Sequence, residues 1–155
     1  AVGNDPYAVL LADDFILSEE KGVTSDLVSA FEKNSKTQLS VMEIFGSEIS
    51  NYGVVQYNPV NGKVEGLVEK PEENLAPSNS ASIGRYVLTA EIFDILENQT
   101  VGKGGEIQLA DAINILAKEN KVETVKLKGN RFDCGSVKGY LAGINFVANK
   151  LKINN

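Results

Sequence analysis

The pattern of apolar and polar positions along the chain predicts a sheet with helices packed against it. Residues 7–11 (YAVLL) form a continuous apolar run, which is typical of a strand buried on both faces of a sheet. A helix with apolar residues on one face follows, and residues 38–45 (QLSVMEIF) have the pattern of the next strand. This strand–helix–strand order indicates a βαβ unit in a mixed, mostly parallel sheet.

A β-hairpin is predicted in the middle of the chain. Residues 53–57 and 63–68 are short apolar segments, and Asn61 and Gly62 stand between them as a strong hairpin-turn signal. The chain then returns to a strand pattern at residues 81–88. We interpret the hairpin as an insertion in the α/β pattern.

The last third of the chain predicts two helices that flank a strand. A glycine-rich surface loop is expected at residues 98–105, an apolar stripe predicts a helix from Leu109, and residues 122–127 alternate like an edge strand. A turn at residues 131–136 leads into the last helix. The side that we expect this helix to bury consists of Val137, Tyr140, Leu141, Ile144 and Val147. Together these elements predict a single α/β domain over residues 1–155 with flanking helices.

Composition and charge narrow the functions that are open to this chain. Its net charge is −6, which disfavours binding to nucleic acid or to anionic membranes. It has no histidine, which excludes Ser-His-Asp and Cys-His catalysis among these residues. Its single cysteine, Cys134, has no second thiol to pair with, and no apolar run approaches the roughly 18 residues of a membrane span. We expect a cytoplasmic protein whose chemistry depends on carboxylates, lysines and hard cations.

A pair of carboxylates follows the first predicted strand. Asp13 and Asp14 stand just beyond its carboxyl end, where open α/β sheets bind ligands. A carboxylate there is suited to Mg²⁺, which takes one or two protein oxygens together with water and phosphate. The residues alone leave a second explanation open, in which the two aspartates only begin a surface loop.

Two further groups of charged residues are candidates for binding. Glu69 and Lys70 end the second hairpin strand, where a glutamate can accept hydrogen bonds from sugar hydroxyls and a lysine can hold a phosphate. Asp133 precedes the last helix and is placed to complete a metal site with Asp13. Taken singly, the first pair is also explained as a charged strand end, and Asp133 as a cap or a complement to the helix dipole.

Six motifs in this order resemble the bacterial UTP–glucose-1-phosphate uridylyltransferases, a branch of the sugar-nucleotidyltransferase family. The resemblance covers essentially the whole chain in register. The motifs are LADDF (11–15), NYGVV (51–55), VEKP (68–71), APSNSASIGRYVL (76–88), GGEIQLADAI (104–113) and FDCGS (132–136). The resemblance implies a Rossmann-like nucleotidyltransferase fold and a reaction that joins UTP and glucose 1-phosphate into UDP-glucose and pyrophosphate. It also implies Mg²⁺ as the cofactor and a homo-oligomeric assembly.

The resemblance assigns roles to individual residues. It implies that Asp13 and Asp133 bind the metal and that Glu69 hydrogen-bonds the glucose hydroxyls. Lys70 matches a lysine that contacts the sugar phosphate, so that Asp13, Lys70 and Asp133 form the implied catalytic set. Gly53 matches a glycine whose backbone approaches the sugar, where a side chain would intrude. The weaker candidates for lining the sugar pocket are Asp14, Asn79 and Ile83.

The chain departs from the family pattern in two ways. Ala110 stands where relatives often have threonine, which puts a hydroxyl contact near the sugar in doubt. The GxGTRxxP-type loop that cradles the triphosphate and reads the uracil in relatives is not among these 155 residues. We therefore interpret the chain as the C-terminal, sugar-binding half and expect no useful turnover from it alone. Another sugar-1-phosphate nucleotidyltransferase, or a non-catalytic module for sugar-phosphate binding or oligomerisation, remains the alternative.

Overall fold

The computed structural model describes residues 3–18, 21–100 and 107–152. It contains eight strands and four helices in these ranges, with short 3-10 turns at Gly46–Asn51 and Glu73–Leu75. The strands are β1 (Tyr7–Leu10), β2 (Asp14–Ser18), β3 (Thr37–Glu43), β4 (Gly53–Tyr57), β5 (Val64–Glu69), β6 (Ser80–Leu88), β7 (Val122–Lys126) and β8 (Gly129–Asp133). The helices are α1 (Val23–Asn34), α2 (Glu91–Asn98), α3 (Leu109–Lys118) and α4 (Val137–Lys150).

Strand β6 is the centre of a mixed six-stranded sheet. It pairs antiparallel with β3 on one edge, and with β4 and β1 end to end on the other edge. Strand β7 continues the sheet beyond β3 in parallel, and β5 lies antiparallel outside β4. Strands β1, β3, β4 and β7 therefore run in one direction, which confirms the mixed α/β fold. Most neighbours in this sheet are nevertheless antiparallel, because β6 lies between strands of the opposite direction.

Helix α3 covers one face of this sheet with the apolar stripe that the sequence predicted. Ile113 and Leu116 are fully buried, and they pack in one cluster with Leu39, Val55 and Leu88 of the sheet. The burial of these side chains is the main source of stabilisation for this layer, since each contributes about 1.5–3 kcal/mol when fully buried.

The predicted hairpin is confirmed as β4 and β5, and its outer edge is closed by a side chain. Gly62 has a positive φ of 70° in the turn, and the register places Gly53 opposite Glu69. Asn114 of α3 accepts the Leu67 N–H at 2.5 Å and donates to the Leu67 carbonyl at 3.0 Å. The carboxamide thus acts as a short substitute for a neighbouring strand and holds the edge strand against the helix.

Strands β2 and β8 form a separate two-stranded sheet that the sequence pattern did not predict. They pair antiparallel, with Asp14 opposite Asp133 and Ile16 opposite Arg131. Each strand has five residues, and its partner lies more than a hundred positions away, so no local turn signal marks the pairing. The first part of the predicted turn at residues 131–136 is therefore extended, up to Asp133.

The prediction for the last helix is wrong, because most of the side that we expected to be buried is exposed among the described residues. The side chains of Val137, Tyr140, Leu141 and Ile144 are 78%, 53%, 53% and 47% exposed. Helix α4 instead packs on β8 through Gly143 and Phe146, whose ring centroid lies 5.2 Å from that of Phe132. An amphipathic pattern identifies the apolar side of a helix, but it does not identify what covers that side.

Two further expectations concern the glycine-rich loop and a membrane-spanning helix. Most of the glycine-rich loop predicted at residues 98–105 lies outside the described residues, since these stop at residue 100 and resume at residue 107. The described residues include no helix that is both long enough and apolar enough to cross a membrane.

Candidate functional site

A cleft of about 570 Å³ lies between the hairpin, strand β6 and the two-stranded sheet. Four residues that the sequence singled out line it together, namely Asp13, Gly53, Glu69 and Asp133. A volume of this size falls in the range of small-molecule sites. The structure therefore brings the predicted carboxylates to one place, although they come from three separate parts of the chain.

The carboxylates of Asp13 and Asp133 both lie beside Gly135. The Cys134 N–H donates to the Asp13 carbonyl at 2.7 Å, and the Gly135 N–H donates to Asp133 Oδ1 at 3.1 Å. A Cβ added to Gly135 would lie 3.1 Å from Asp13 Oδ2 and 3.1 Å from Asp133 Oδ1. The absent side chain therefore leaves a small cradle that two carboxylate oxygens border.

This cradle fits a hard divalent cation. Carboxylate oxygens are the ligands that Mg²⁺ takes in proteins, and Mg²⁺ usually needs only one or two of them beside water and phosphate. The described residues contain no group of three or more His, Cys, Asp or Glu side chains that could hold a metal ion. The pair is thus suited to a cation that shares its coordination sphere with a phosphate rather than to a closed protein cage.

The hairpin forms another wall of the cleft. Gly53 and Glu69 face each other in the antiparallel register, and a Cβ at position 53 would lie 3.0 Å from Glu69 Oε2 and 3.1 Å from Leu67 Cδ2. The missing side chain therefore leaves space for the Glu69 carboxylate beside the strand. A carboxylate in this position can accept hydrogen bonds from hydroxyl groups in the cleft.

Three predicted site residues are not among those that line the cleft. Lys70 is exposed just after β5, and its φ of 45° is unusual for a residue with a side chain. Asn79 is exposed, and its carbonyl accepts the Ile44 N–H. Ile83 is 1% exposed and alternates with Ser82 and Gly84, which do line the cleft, so its side chain points to the opposite face of β6.

Asp14 and Ala110 also lie away from the cleft surface. Asp14 is 4% exposed, and its Oδ2 accepts the Gly84 N–H at 2.5 Å, so its carboxylate is part of the packing below the cleft. Ala110 is buried on helix α3, in the cluster that packs on the sheet. The interpretation of Asp14 and Ile83 as pocket-lining residues is therefore corrected by the packing of β2 and β6.

Arg131 and Tyr52 line the cleft, and the sequence analysis missed both. Arg131 Nε donates to Asp14 Oδ1 at 2.6 Å, and Nη1 donates to the Tyr52 hydroxyl at 2.7 Å. Burial opposes the charge of Arg131, but the hydrogen bond and the negative charge of Asp14 outweigh it and raise the pKa of the guanidinium. The only signal in the sequence was a basic residue two positions before Asp133.

The sequence matches the nucleotidyl transferase family over residues 1–150. The chain belongs to this family. Its mixed sheet with flanking helices matches the solved structures of nucleotidyltransferases. The family membership confirms the relationship that the six motifs indicated.

Several similar proteins have uridylyltransferase or UDP-glucose pyrophosphorylase in their names. A UTP–glucose-1-phosphate uridylyltransferase from Pseudomonas aeruginosa is 43% identical over 94% of this chain and 53% of its own length. One from Streptococcus pyogenes is 43% identical over 90% of this chain and 48% of its own length. A crystal structure of UDP-glucose pyrophosphorylase complexed with UDP-glucose has a TM-score of 0.88 at 38% identity, covering 96% of this chain and 58% of that one. The chain thus spans about half the length of these relatives.

Proposed function

We propose that this chain supplies the sugar-binding and metal-binding part of a UTP–glucose-1-phosphate uridylyltransferase. The observation that supports this function best is the arrangement of Asp13, Asp133 and Glu69 around one cleft. Relatives with the names given above support the choice of UTP and glucose 1-phosphate as substrates. The whole reaction would yield UDP-glucose and pyrophosphate.

The hairpin wall of the cleft would hold the glucose ring. In this arrangement Glu69 accepts hydrogen bonds from adjacent sugar hydroxyls, because its carboxylate is free of salt bridges among the described residues. Gly53 lets the ring approach the backbone closely, since a side chain there would crowd both the sugar and Glu69. Discrimination against sugars with a differently placed hydroxyl would follow, because a buried polar group left unpaired is costly.

Asp13 and Asp133 would hold a divalent cation, for which Mg²⁺ is our choice. When bound, such an ion neutralises negative charge on the phosphate oxygens of the substrates. The two carboxylates themselves fix where in the cleft that charge is neutralised. The cradle next to Gly135 leaves the remaining coordination positions to water and phosphate.

The chemical step needs positioning rather than an activated side chain. A phosphate oxygen of glucose 1-phosphate forms a bond to the α-phosphorus of UTP, while the bond from that phosphorus to the oxygen bridging to the β-phosphate breaks. The electron pair leaves with pyrophosphate. This in-line displacement needs no covalent enzyme intermediate, which is consistent with a chain that has no histidine.

Lys70 gives a prediction that separates stability from binding. We expect Lys70→Gly to weaken glucose 1-phosphate binding, because the variant loses the positive charge that we propose contacts the phosphate of the sugar phosphate. It should not lower the free energy of unfolding, because glycine adopts a positive φ without the penalty of about 1–2 kcal/mol that a side chain incurs. Calorimetric titration and urea unfolding measure the two effects.

Two further substitutions at the same position are the controls. Lys70→Arg keeps both the charge and the backbone penalty, and it should retain most of the binding. Lys70→Ala removes the charge but keeps the penalty, so it should bind as weakly as Lys70→Gly and be less stable. Wild-type affinity in Lys70→Gly would remove this residue from the site.

The proposed function is tested with the purified 155-residue chain. We expect it to bind glucose 1-phosphate more tightly in the presence of Mg²⁺, and to release no pyrophosphate from UTP and glucose 1-phosphate. Galactose 1-phosphate, mannose 1-phosphate and inorganic phosphate are the comparison ligands. Preference for another sugar phosphate would favour a different sugar nucleotidyltransferase. Pyrophosphate release at normal rates would contradict the proposal that this chain holds only part of the active site.

If none of these ligands binds to the chain, the proposal is overturned and an oligomerisation module is left as the alternative.

A homo-oligomeric assembly and a cytoplasmic location stay predictions from the sequence.

A further inference from the structure

A chain of polar contacts crosses the floor of the cleft. Arg131 on β8 pairs with the Asp14 carboxylate on β2 through Nε and Nη2. The same guanidinium donates to the Tyr52 hydroxyl and lies over the Tyr52 ring, with its central carbon 5.1 Å from the ring centroid. The side chains of Arg131 and Asp14 are only 11% and 4% exposed. This network is therefore largely removed from solvent.

Each end of the network is attached to a different wall of the cleft. At one end, Asp14 lies opposite Asp133 in the two-stranded sheet and directly follows Asp13. At the other end, Tyr52 directly precedes Gly53, and its carbonyl accepts the Lys70 N–H at 3.0 Å. The wall that carries Asp13 and Asp133 is stabilised by the pairing of β2 with β8. The wall that carries Glu69 is stabilised by the pairing of β4 with β5. Arg131 is the side chain that bridges the two walls.

We propose that Arg131 is a positioning residue that sets the distance between the carboxylate pair, Asp13 and Asp133, and the sugar-side carboxylate, Glu69. This inference rests on the proposed function of the cleft. Because each wall is held by its own backbone pairing and is also attached to β6, loss of Arg131 leaves both walls formed but removes the direct side-chain link that sets their spacing. A ligand that touches one wall is then little affected, whereas two ligands that meet across the cleft lose their mutual support.

The guanidinium is suited to this task in a way that lysine is not. Its planar fork directs two nitrogens at Asp14 and a third at Tyr52, whereas an ammonium group lacks this fixed geometry. The Asp14 carboxylate is also held by the Gly84 N–H, so the anchor at that end is itself fixed to the central strand β6.

The test measures coupling between two ligands rather than activity. Glucose 1-phosphate is titrated into the 155-residue chain by calorimetry, with and without saturating Mn²⁺, and the ratio of the two dissociation constants is the coupling. We expect Mn²⁺ to tighten glucose 1-phosphate binding at least about fivefold in the wild type, within the usual range of coupling between sites. In Arg131→Lys the ratio should fall towards one, while the affinity for Mn²⁺ alone should change little, because lysine retains the positive charge beside Asp14.

Two variants keep the test decisive. Arg85→Lys is the matched control. Arg85 Nη2 donates to the backbone carbonyl of Asp14 at 2.5 Å, but Arg85 does not line the cleft. It should keep the wild-type ratio. Tyr52→Phe removes only the hydroxyl and should lower the ratio part of the way, which provides the test if Arg131→Lys does not fold.

The outcomes separate this inference from the function on which it rests. A wild-type ratio in folded Arg131→Lys, or in Tyr52→Phe if the first variant does not fold, would overturn the positioning role and leave the proposed function intact. An equal loss in Arg85→Lys would assign the effect to general destabilisation and would also overturn it. No binding of glucose 1-phosphate by the wild type would overturn both proposals.

Discussion

Glu69→Ala should weaken the binding of glucose 1-phosphate by roughly 10- to 150-fold. Loss of a charged hydrogen-bond partner typically costs about 1.5–3 kcal/mol, and each 1.4 kcal/mol corresponds to about tenfold in affinity. The effect should be confined to the sugar, so the affinity for Mn²⁺ should change little. Calorimetric titration of the variant with each ligand in turn measures both.

The same strand provides a matched control for this prediction. Glu65 lies near the other end of β5, where it accepts a hydrogen bond from Asn58 at 2.6 Å, and it does not line the cleft. Glu65→Ala removes the same charge from the same strand and should leave glucose 1-phosphate binding unchanged. Equal weakening in both variants, or none in Glu69→Ala, would remove Glu69 from the sugar site.

Asp13→Asn should lower the affinity for Mn²⁺ at least about tenfold. Even loss of an outer partner of a metal ligand typically lowers affinity by 10–100-fold, so loss of a ligand's charge should do no less. Asparagine is close to isosteric with aspartate, so the Asp13 carbonyl should still accept the Cys134 N–H and the fold should be retained. Electron paramagnetic resonance of free Mn²⁺ measures the affinity directly.

The control here is Asp94→Asn, an identical change on the exposed surface of α2. It alters the net charge by the same amount and should not change Mn²⁺ binding. If Asp13→Asn bound Mn²⁺ like the wild type, the metal site would have to be sought elsewhere. A similar decrease in both variants would indicate a general effect of charge rather than a ligand.

Local signals in the sequence were sufficient to predict the hairpin wall of the cleft. Asn61 and Gly62 predict the turn, and the two apolar segments predict the strands. The pairing of Gly53 with Glu69 also depends on a register irregularity between Gln56 and Tyr57, which the turn signal does not predict. The apolar stripe of α3 was equally informative, because apolar residues at a period of 3.6 predict a helix that packs one face against the sheet. These features depend on residues that are close in the chain.

The contacts of Arg131 could not be predicted in this way. Its hydrogen-bond partners, Asp14 and Tyr52, are 117 and 79 positions away. No periodicity or turn signal connects residues at such separations, and the short strands β2 and β8 that bring them together have no hairpin between them. For Asp13 and Asp133, it was the resemblance in motif order, rather than any physical pattern, that predicted their approach.

The misassigned residues have a related cause. Ile83 was selected because it lies within a motif, but the alternation of β6 directs Ser82 and Gly84 to the cleft and Ile83 to the opposite face. Asp14 directly follows Asp13, but its carboxylate is buried against Arg131 and the Gly84 N–H and does not line the cleft. Proximity in sequence to a binding residue is thus a poor guide to which face of a strand binds.

A crystal of this chain soaked with Mn²⁺ and glucose 1-phosphate tests the central claim most directly. The account predicts an anomalous-scattering peak between Asp13 Oδ2 and Asp133 Oδ1, with the sugar hydroxyls within hydrogen-bond distance of Glu69 in the same cleft. A peak bound to other residues, or a sugar phosphate seated outside the cleft, would contradict it.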